Sequence, residues 1–154
     1  IACCNKINPI TYIKNNKSRI ITDTDFNPSF KENLFFLYLG NKQNTSEAIE
    51  NYRSMSNNMG SIIPKINSIS LSIINSQTLS EFEKLITEHE KIISMTINQQ
   101  PIQNKLFSDY PSGVIKSLGA WGGDFVLVTG SKSSMSYFTN KGYEKIIPYK
   151  NLVY

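Results

Sequence analysis

The densest chemistry-bearing stretch of the chain is Lys116-Ser117-Leu118-Gly119-Ala120-Trp121-Gly122-Gly123-Asp124, which runs directly into the apolar segment Phe125-Val126-Leu127-Val128. Glycines crowded around a tryptophan permit positive φ and let a ligand or a second backbone approach closely. Backbone N–H groups in such a turn can form an anion-binding nest. Lys116 and Asp124 add a cation and a carboxylate at its two ends. The same string equally suits a tight hairpin that packs Trp121 against the core, and the residues alone leave both readings open. It is not a P-loop, which needs Gly-Lys-Ser/Thr between a strand and a helix; here a strand follows.

Other reactive constellations are missing. His89 is the only histidine, so a Ser-His-Asp hydrolase would have to be built around it, and no Gly-x-Ser-x-Gly elbow is present. His89-Glu90 lacks the second histidine of a metalloprotease helix, because Ile93 stands there. His89 therefore reads as a polar member of an apolar helix face. Cys3 and Cys4 are adjacent, unlike a metal site, and neighbours rarely pair in a disulfide. Two free thiols point to a reducing compartment, hence the cytoplasm.

The net charge is +4 and the pI about 9.0. Lys and Arg are scattered and do not alternate with aromatics, which argues against nucleic acid and agrees with a small anionic ligand. No apolar run approaches the ~18–20 residues of a membrane span, and no signal peptide is recognisable. At 154 residues, 40% apolar and 18% charged, the chain suits one soluble domain, or one domain plus the tail of another.

The elements that must position the glycine loop follow from patterning. Ile10–Lys14 and Arg19–Thr22 flank a polar turn and predict a hairpin; Asp23–Lys31, with Asn27-Pro28, is a connector. Asn33–Leu39 is a continuous apolar run ending at Gly40, a strand covered on one or both faces. Three helices are then expected. The first runs from about Thr45 to Met59, capped by Asn44 or Thr45. The second runs from about Ile62 to Asn75, with Pro64 in its first turn. The third opens on the capping box Thr78-Leu79-Ser80-Glu81 and continues to about Gln99, with Phe82, Leu85, Ile86, His89, Ile93, Thr96 and Ile97 as its stripe. Val114–Leu118 and Asp124–Thr129 form a hairpin around the glycine loop. Ser133–Lys141 is a short helix ended by Gly142, and Glu144–Pro148 is the last strand. From Asn33 the order is β, a helical block, β, β, α, β: an α+β fold on the ferredoxin-like split β-α-β-β-α-β plan, its first crossover enlarged to three helices.

The string from Lys116 to Phe125 resembles the third, C-terminal motif of the GHMP kinases (galactokinase, homoserine kinase, mevalonate kinase, phosphomevalonate kinase). That motif runs Lys, two residues, Gly-Ala-Gly-Gly-Gly, then Gly or Asp. Lys116, Gly119, Ala120, Gly122, Gly123 and Asp124 match it; Trp121 replaces a glycine, and Leu118 replaces a Ser or Thr. The bacterial subfamily named for its Gly-Tyr-Asp-Ile-Ala (GYDIA) motif is similar to the chain from Ser117 to Phe125, tryptophan included. It is also similar in Glu88-His89-Glu90 and in the ending Lys141-Gly142-Tyr143 through Pro148-Tyr149, while Ile1-Ala2-Cys3 resembles the end of the motif itself.

The resemblance implies the C-terminal part of a two-domain small-molecule kinase: residues 1–32 as the tail of the N-terminal domain, residues 33–154 as the C-terminal domain. It implies ATP and Mg²⁺ as cofactors and a small hydroxylated acid, mevalonate or phosphomevalonate, as substrate. The ATP-phosphate loop and the base aspartate would lie upstream, the latter immediately before Ile1, so no catalytic residue is expected in this chain and the chain alone is expected to be inactive. Lys116, Gly119, Ala120, Gly122, Gly123 and Asp124 would form the substrate and phosphate loop. Asp124 would orient that loop or help place Mg²⁺, and Lys116 would face an anionic substrate or remain a solvated strand lysine. Lys42, Thr45 and Ser46 would meet substrate or cap a helix. The missing N-terminal domain is the expected partner, with a homodimer as the alternative cover for the exposed face. A non-catalytic ferredoxin-like module that binds a ligand or a partner is the rival reading, and a degenerate kinase subunit is a third.

Overall fold

The computed structural model describes residues 10–14, 19–24, 26–40, 59–119 and 123–153. The helix expected from about Thr45 to Met59, except for Met59 itself, lies outside the described residues. So do Lys42, Thr45 and Ser46 and the opening Ile1-Ala2-Cys3-Cys4.

Strands β1 (Ile10–Lys14) and β2 (Arg19–Asp23) pair antiparallel as the expected hairpin, with Ile13 opposite Ile20. A second sheet holds β3 (Leu34–Tyr38), β4 (Ile115–Ser117), β5 (Phe125–Thr129) and β6 (Ile146–Pro148). Its order is β4-β5-β3-β6, and every neighbouring pair is antiparallel. Helices α1 (Met59–Asn75), α2 (Leu79–Thr96) and α3 (Ile102–Leu106) separate β3 from β4, and α4 (Ser136–Asn140) separates β5 from β6. The chain is an α+β protein.

Local chemistry fixes the helix ends. The Thr78 hydroxyl accepts the Glu81 N–H at 3.2 Å, and the Glu81 carboxylate accepts the Gln77 N–H at 3.1 Å, so the capping-box residues act as their spacing predicts. α2 stops at Thr96 rather than Gln99 because Asn98 turns left-handed (φ 50°) and the Gln99 N–H returns to the Ser94 carbonyl. At the end of α4, Gly142 takes φ 88° and the Tyr143 N–H reaches the Phe138 carbonyl at 3.0 Å, the Schellman closure. α1 begins three residues earlier than expected, so Pro64 sits inside the helix and not in its first turn. Its missing N–H deprives the Gly60 carbonyl of a partner; both residues are exposed, so water can serve that carbonyl. The short α3 was not anticipated, being only five residues long after Pro101.

Strand alternation divides the core in two. Phe35, Leu37, Val126, Val128 and Ile115 point to one face, where they meet Ile102 of α3, Phe107, Tyr110 and Phe138 of α4. Leu34 and Leu127 point to the other, against Phe82 and Ile86 of α2, with Phe30 and Tyr149. The helices thus cover both faces of the sheet. The face that α2 buries is also shifted from the expected stripe: its buried residues are Phe82, Ile86, Glu90 and Ser94, while His89, Ile93 and Ile97 are only partly buried. Glu90 stands in place of an apolar residue because this part of α2 meets the β4 edge, where the Ser117 N–H needs an acceptor; the Ser94 hydroxyl is satisfied by the Lys91 carbonyl of its own helix.

Candidate functional site

The glycine loop is the connection between β4 and β5. Ala120, Trp121 and Gly122 lie outside the described residues; Lys116, Gly119, Gly123 and Asp124 lie within them. Gly119 takes φ 64°, and among the described residues a Cβ built there would meet nothing within 4 Å. A turn into the left-handed region beside open space suits glycine and leaves room above its backbone. Gly123 is less open, its Cβ position 3.7 Å from the Leu118 carbonyl. The β4–β5 register pairs Ser117 with Val126; carried two residues on, it sets Gly119 across from Asp124. The Asp124 carbonyl accepts the Leu39 N–H at 2.7 Å, which ties the start of β5 to the end of β3.

β4 is an outer strand of the sheet, so half of its backbone groups face away from β5. Side chains supply what a further strand would. Gln103 of α3 accepts the Ile115 N–H at 2.9 Å and donates to the Gly113 carbonyl at 3.2 Å. Glu90 Oε1 accepts the Ser117 N–H at 3.2 Å, and the Lys116 ammonium donates to the Ser117 carbonyl at 2.9 Å. Lys116 Nζ also lies 3.8 Å from Glu90 Oε2, in a pair whose side chains are 14% and 5% exposed. An edge covered in this way is closed to strand pairing.

Burial dominates the electrostatics. It pulls the Lys116 ammonium below the usual lysine range, and Glu90 opposes that shift. The His89 imidazole is lowered to about 4, first by burial and then by the charge of Lys116, so it is neutral at physiological pH. Four buried polar atoms have no hydrogen-bond partner among the described residues: His89 Nδ1, Glu90 Oε2, Ser117 Oγ and Asp124 Oδ1. All belong to β4, to the first residue before β5, or to the adjoining stretch of α2. Buried polar groups are normally paired, so their collection around the root of one loop is the feature of this molecule that most resembles a binding site.

Of the residues expected at the site, Lys116, Gly119, Gly123 and Asp124 gather around the β4–β5 turn. Lys116 is not a solvated strand lysine: its side chain is largely buried and engaged with Glu90 and the Ser117 carbonyl. Sequence reading missed Glu90 and Gln103. A signal for Glu90 was present, since it stands four residues beyond Ile86 and eight beyond Phe82, in phase with the buried face. Among the described residues no group of three or more His, Cys, Asp or Glu side chains could hold a metal ion, and no helix is long and apolar enough to cross a membrane. Compared with protein-family models, with curated proteins and with solved structures, the chain matches none.

Proposed function

We propose that the chain is the C-terminal part of an ATP-dependent, GHMP-type small-molecule kinase of the cytoplasm. It would transfer the γ-phosphate of ATP to a small acid, with mevalonate or phosphomevalonate as the favoured substrate. The observation that carries the reading is the setting of the glycine loop: a left-handed glycine with open space beside it among the described residues, rooted where His89 Nδ1, Ser117 Oγ and Asp124 Oδ1 have no partner among those residues and Glu90 Oε2 has only the Lys116 ammonium at 3.8 Å. The strand order β4-β5-β3-β6 supports a ferredoxin-like split β-α-β-β-α-β unit over residues 33–154, here with α4 on the opposite face from α2. The hairpin of β1 and β2 supports residues 1–32 as the tail of another domain. Tyr12, Ile13 and Ile20 are each about half exposed there, and a lone two-stranded hairpin is marginal in water.

Phosphoryl transfer depends on positioning and on neutralising charge at the phosphoryl oxygens. N–H groups of the loop would meet phosphate or substrate from the C-terminal side of the cleft. The unpartnered Asp124 Oδ1 suits one ligand position of a Mg²⁺ ion that takes most of its oxygens from phosphates and water; that ion would neutralise phosphate charge. A general base and an ATP loop would come from residues upstream of Ile1.

A second reading, a binding module without catalysis, is favoured by one observation: the Lys116 ammonium is already engaged within the fold. The two separate at the gene. The kinase reading expects an open frame with Gly-Tyr-Asp directly before Ile1, a Gly/Ser-rich loop further upstream, and ADP release by the continuous protein with mevalonate, phosphomevalonate or homoserine. A start codon immediately before Ile1, with no such loop, sinks the enzyme and leaves the module.

A further inference from the structure

We propose that Glu90 is a positioning residue for the glycine loop, its carboxylate standing in for a neighbouring strand at the point where β4 ends and the loop departs. Glu90 is 4% exposed on the buried face of α2, where a carboxylate is costly unless it is paired and hydrogen-bonded. It has both forms of compensation: Oε1 accepts the Ser117 N–H, and Oε2 faces the Lys116 ammonium. Lys116 in turn donates to the Ser117 carbonyl. The last peptide groups of β4 are thereby held on their outer side by two side chains that also hold each other. Gly119, two residues beyond Ser117, already turns left-handed into open space, and a Cβ there would have no packing contact. The direction in which the loop leaves the sheet is therefore set by the Glu90–Lys116 clamp on one side and by the tie from Leu39 to the Asp124 carbonyl on the other. Gln103 closes the same edge two residues earlier, at Ile115, and so serves as an internal contrast.

The significance for binding rests on reading the loop as a ligand loop. The positioning itself is measured without ligand or turnover, so either can fail alone. Trp121, the chain's only tryptophan, lies in the loop and makes its fluorescence a direct report. In the 154-residue chain, Glu90→Ala should speed amide exchange at Ser117 by about 10- to 100-fold, the loss of a charge-assisted hydrogen bond, while Leu37 and Val128 stay protected. Acrylamide quenching of Trp121 should change with it. Glu90→Gln keeps an acceptor for the Ser117 N–H and should restore both signals to within about threefold of the parent. Gln103→Ala should speed exchange at Ile115 and leave Trp121 unmoved. The proposal is overturned if Glu90→Ala leaves Ser117 exchange and Trp121 quenching unchanged, or if Gln103→Ala disturbs Trp121 as much as Glu90→Ala does. Should Glu90→Ala not fold, Glu90→Gln decides: unchanged quenching with Ser117 protected supports the clamp, and altered quenching with Ser117 still protected overturns it.

Discussion

At one end of the β4–β5 ladder Thr129 is completely buried. Its hydroxyl donates to Glu83 Oε1 at 2.5 Å and accepts the Val114 N–H at 2.8 Å, while its carbonyl accepts the Tyr110 hydroxyl at 2.8 Å. Gly130 beside it exchanges bonds with Asn33, N–H to carbonyl at 2.9 Å and side-chain amide to carbonyl at 3.2 Å. At the other end, around the glycine loop, His89 Nδ1, Ser117 Oγ and Asp124 Oδ1 have no partner among the described residues, Glu90 Oε2 has only the Lys116 ammonium at 3.8 Å, and Gly119 borders open space among those residues. Paired buried polar networks rigidify a fold, whereas unpaired ones cost stability and persist where something else favours them. The Thr129 end holds the sheet together; the loop end carries the polar groups with bonding capacity to spare.

The sharpest way to break this comparison is to crowd the closed end. A Cβ at Gly113 would lie 2.3 Å from the Thr129 carbonyl oxygen and 2.6 Å from its hydroxyl, and the carbonyl belongs to a central strand that cannot yield. Gly113→Ala is expected to cost about 4 kcal/mol, read as a lower urea midpoint with the slope unchanged. A loss of less than about 1 kcal/mol would mean that the closed end is as forgiving as surface positions usually are.

Thr129→Val tests the network and not the space. The shape is nearly kept, but the Val114 N–H and a Glu83 oxygen lose their partner. The expected cost is about 2–3 kcal/mol, and Thr129→Ser, which retains the hydroxyl, should recover most of it. A larger loss for serine than for valine would assign the effect to the methyl group, which valine keeps and serine lacks.

How much of this was legible in the sequence follows the same division. The capping box before α2, the hairpin of β1 and β2, the apolar runs of β3 and β5 and the glycine after α4 are local signals, and each element formed within a few residues of its expected place. The phase of α2 was only partly legible: Phe82 and Ile86 mark the buried face, but the polar Glu90 and Ser94 that continue it at four-residue spacing hide its far half. Pattern rules assign Glu90 and Ser94 to solvent, yet both are buried. The cause for Glu90 is non-local: a strand edge 27 positions further along the chain presents an N–H that needs an acceptor. Glu83 and Thr129, 46 positions apart, illustrate the same limit. At the loop itself, glycine content announced the turn and its positive φ, but nothing in the sequence said that Lys116 would be drawn inward by a carboxylate on α2.

The pH profile sharpens the loop end. His89 titrates near 6.5 when unfolded and at about 4 when folded, so between those values the unfolded chain binds more protons. Stability therefore rises with pH across this window and is lost as pH falls through it. The full width corresponds to about 3 kcal/mol, and solvent screening at the partly exposed ring reduces this to about 1–2 kcal/mol. His89 is the only histidine, which isolates the interval from about pH 5 to 6.5, above the ordinary carboxylate range. Thermal midpoints of the parent should fall as pH is lowered through it, and those of His89→Gln should stay nearly level. An equal slope in both proteins would show that the burial of this imidazole contributes nothing at the root of the loop.

The smallest effect on stability is expected from Gly119→Ala. Its Cβ meets no atom within 4 Å among the described residues, so the cost is that of holding an L-residue at φ 64°, about 1 kcal/mol. Set beside Gly113→Ala, it is the same chemical change at the opposite end of the same pair of strands, with steric crowding at one end and backbone conformation alone at the other. A ligand loop should respond differently in function, because a methyl group there intrudes on the space above the backbone even when folding tolerates it. Near-parental stability with lost ligand binding in the continuous protein would separate the two ends by role. A stability loss matching that of Gly113→Ala would mean that the loop is packed as tightly as the Thr129 end, and the contrast between them would fall.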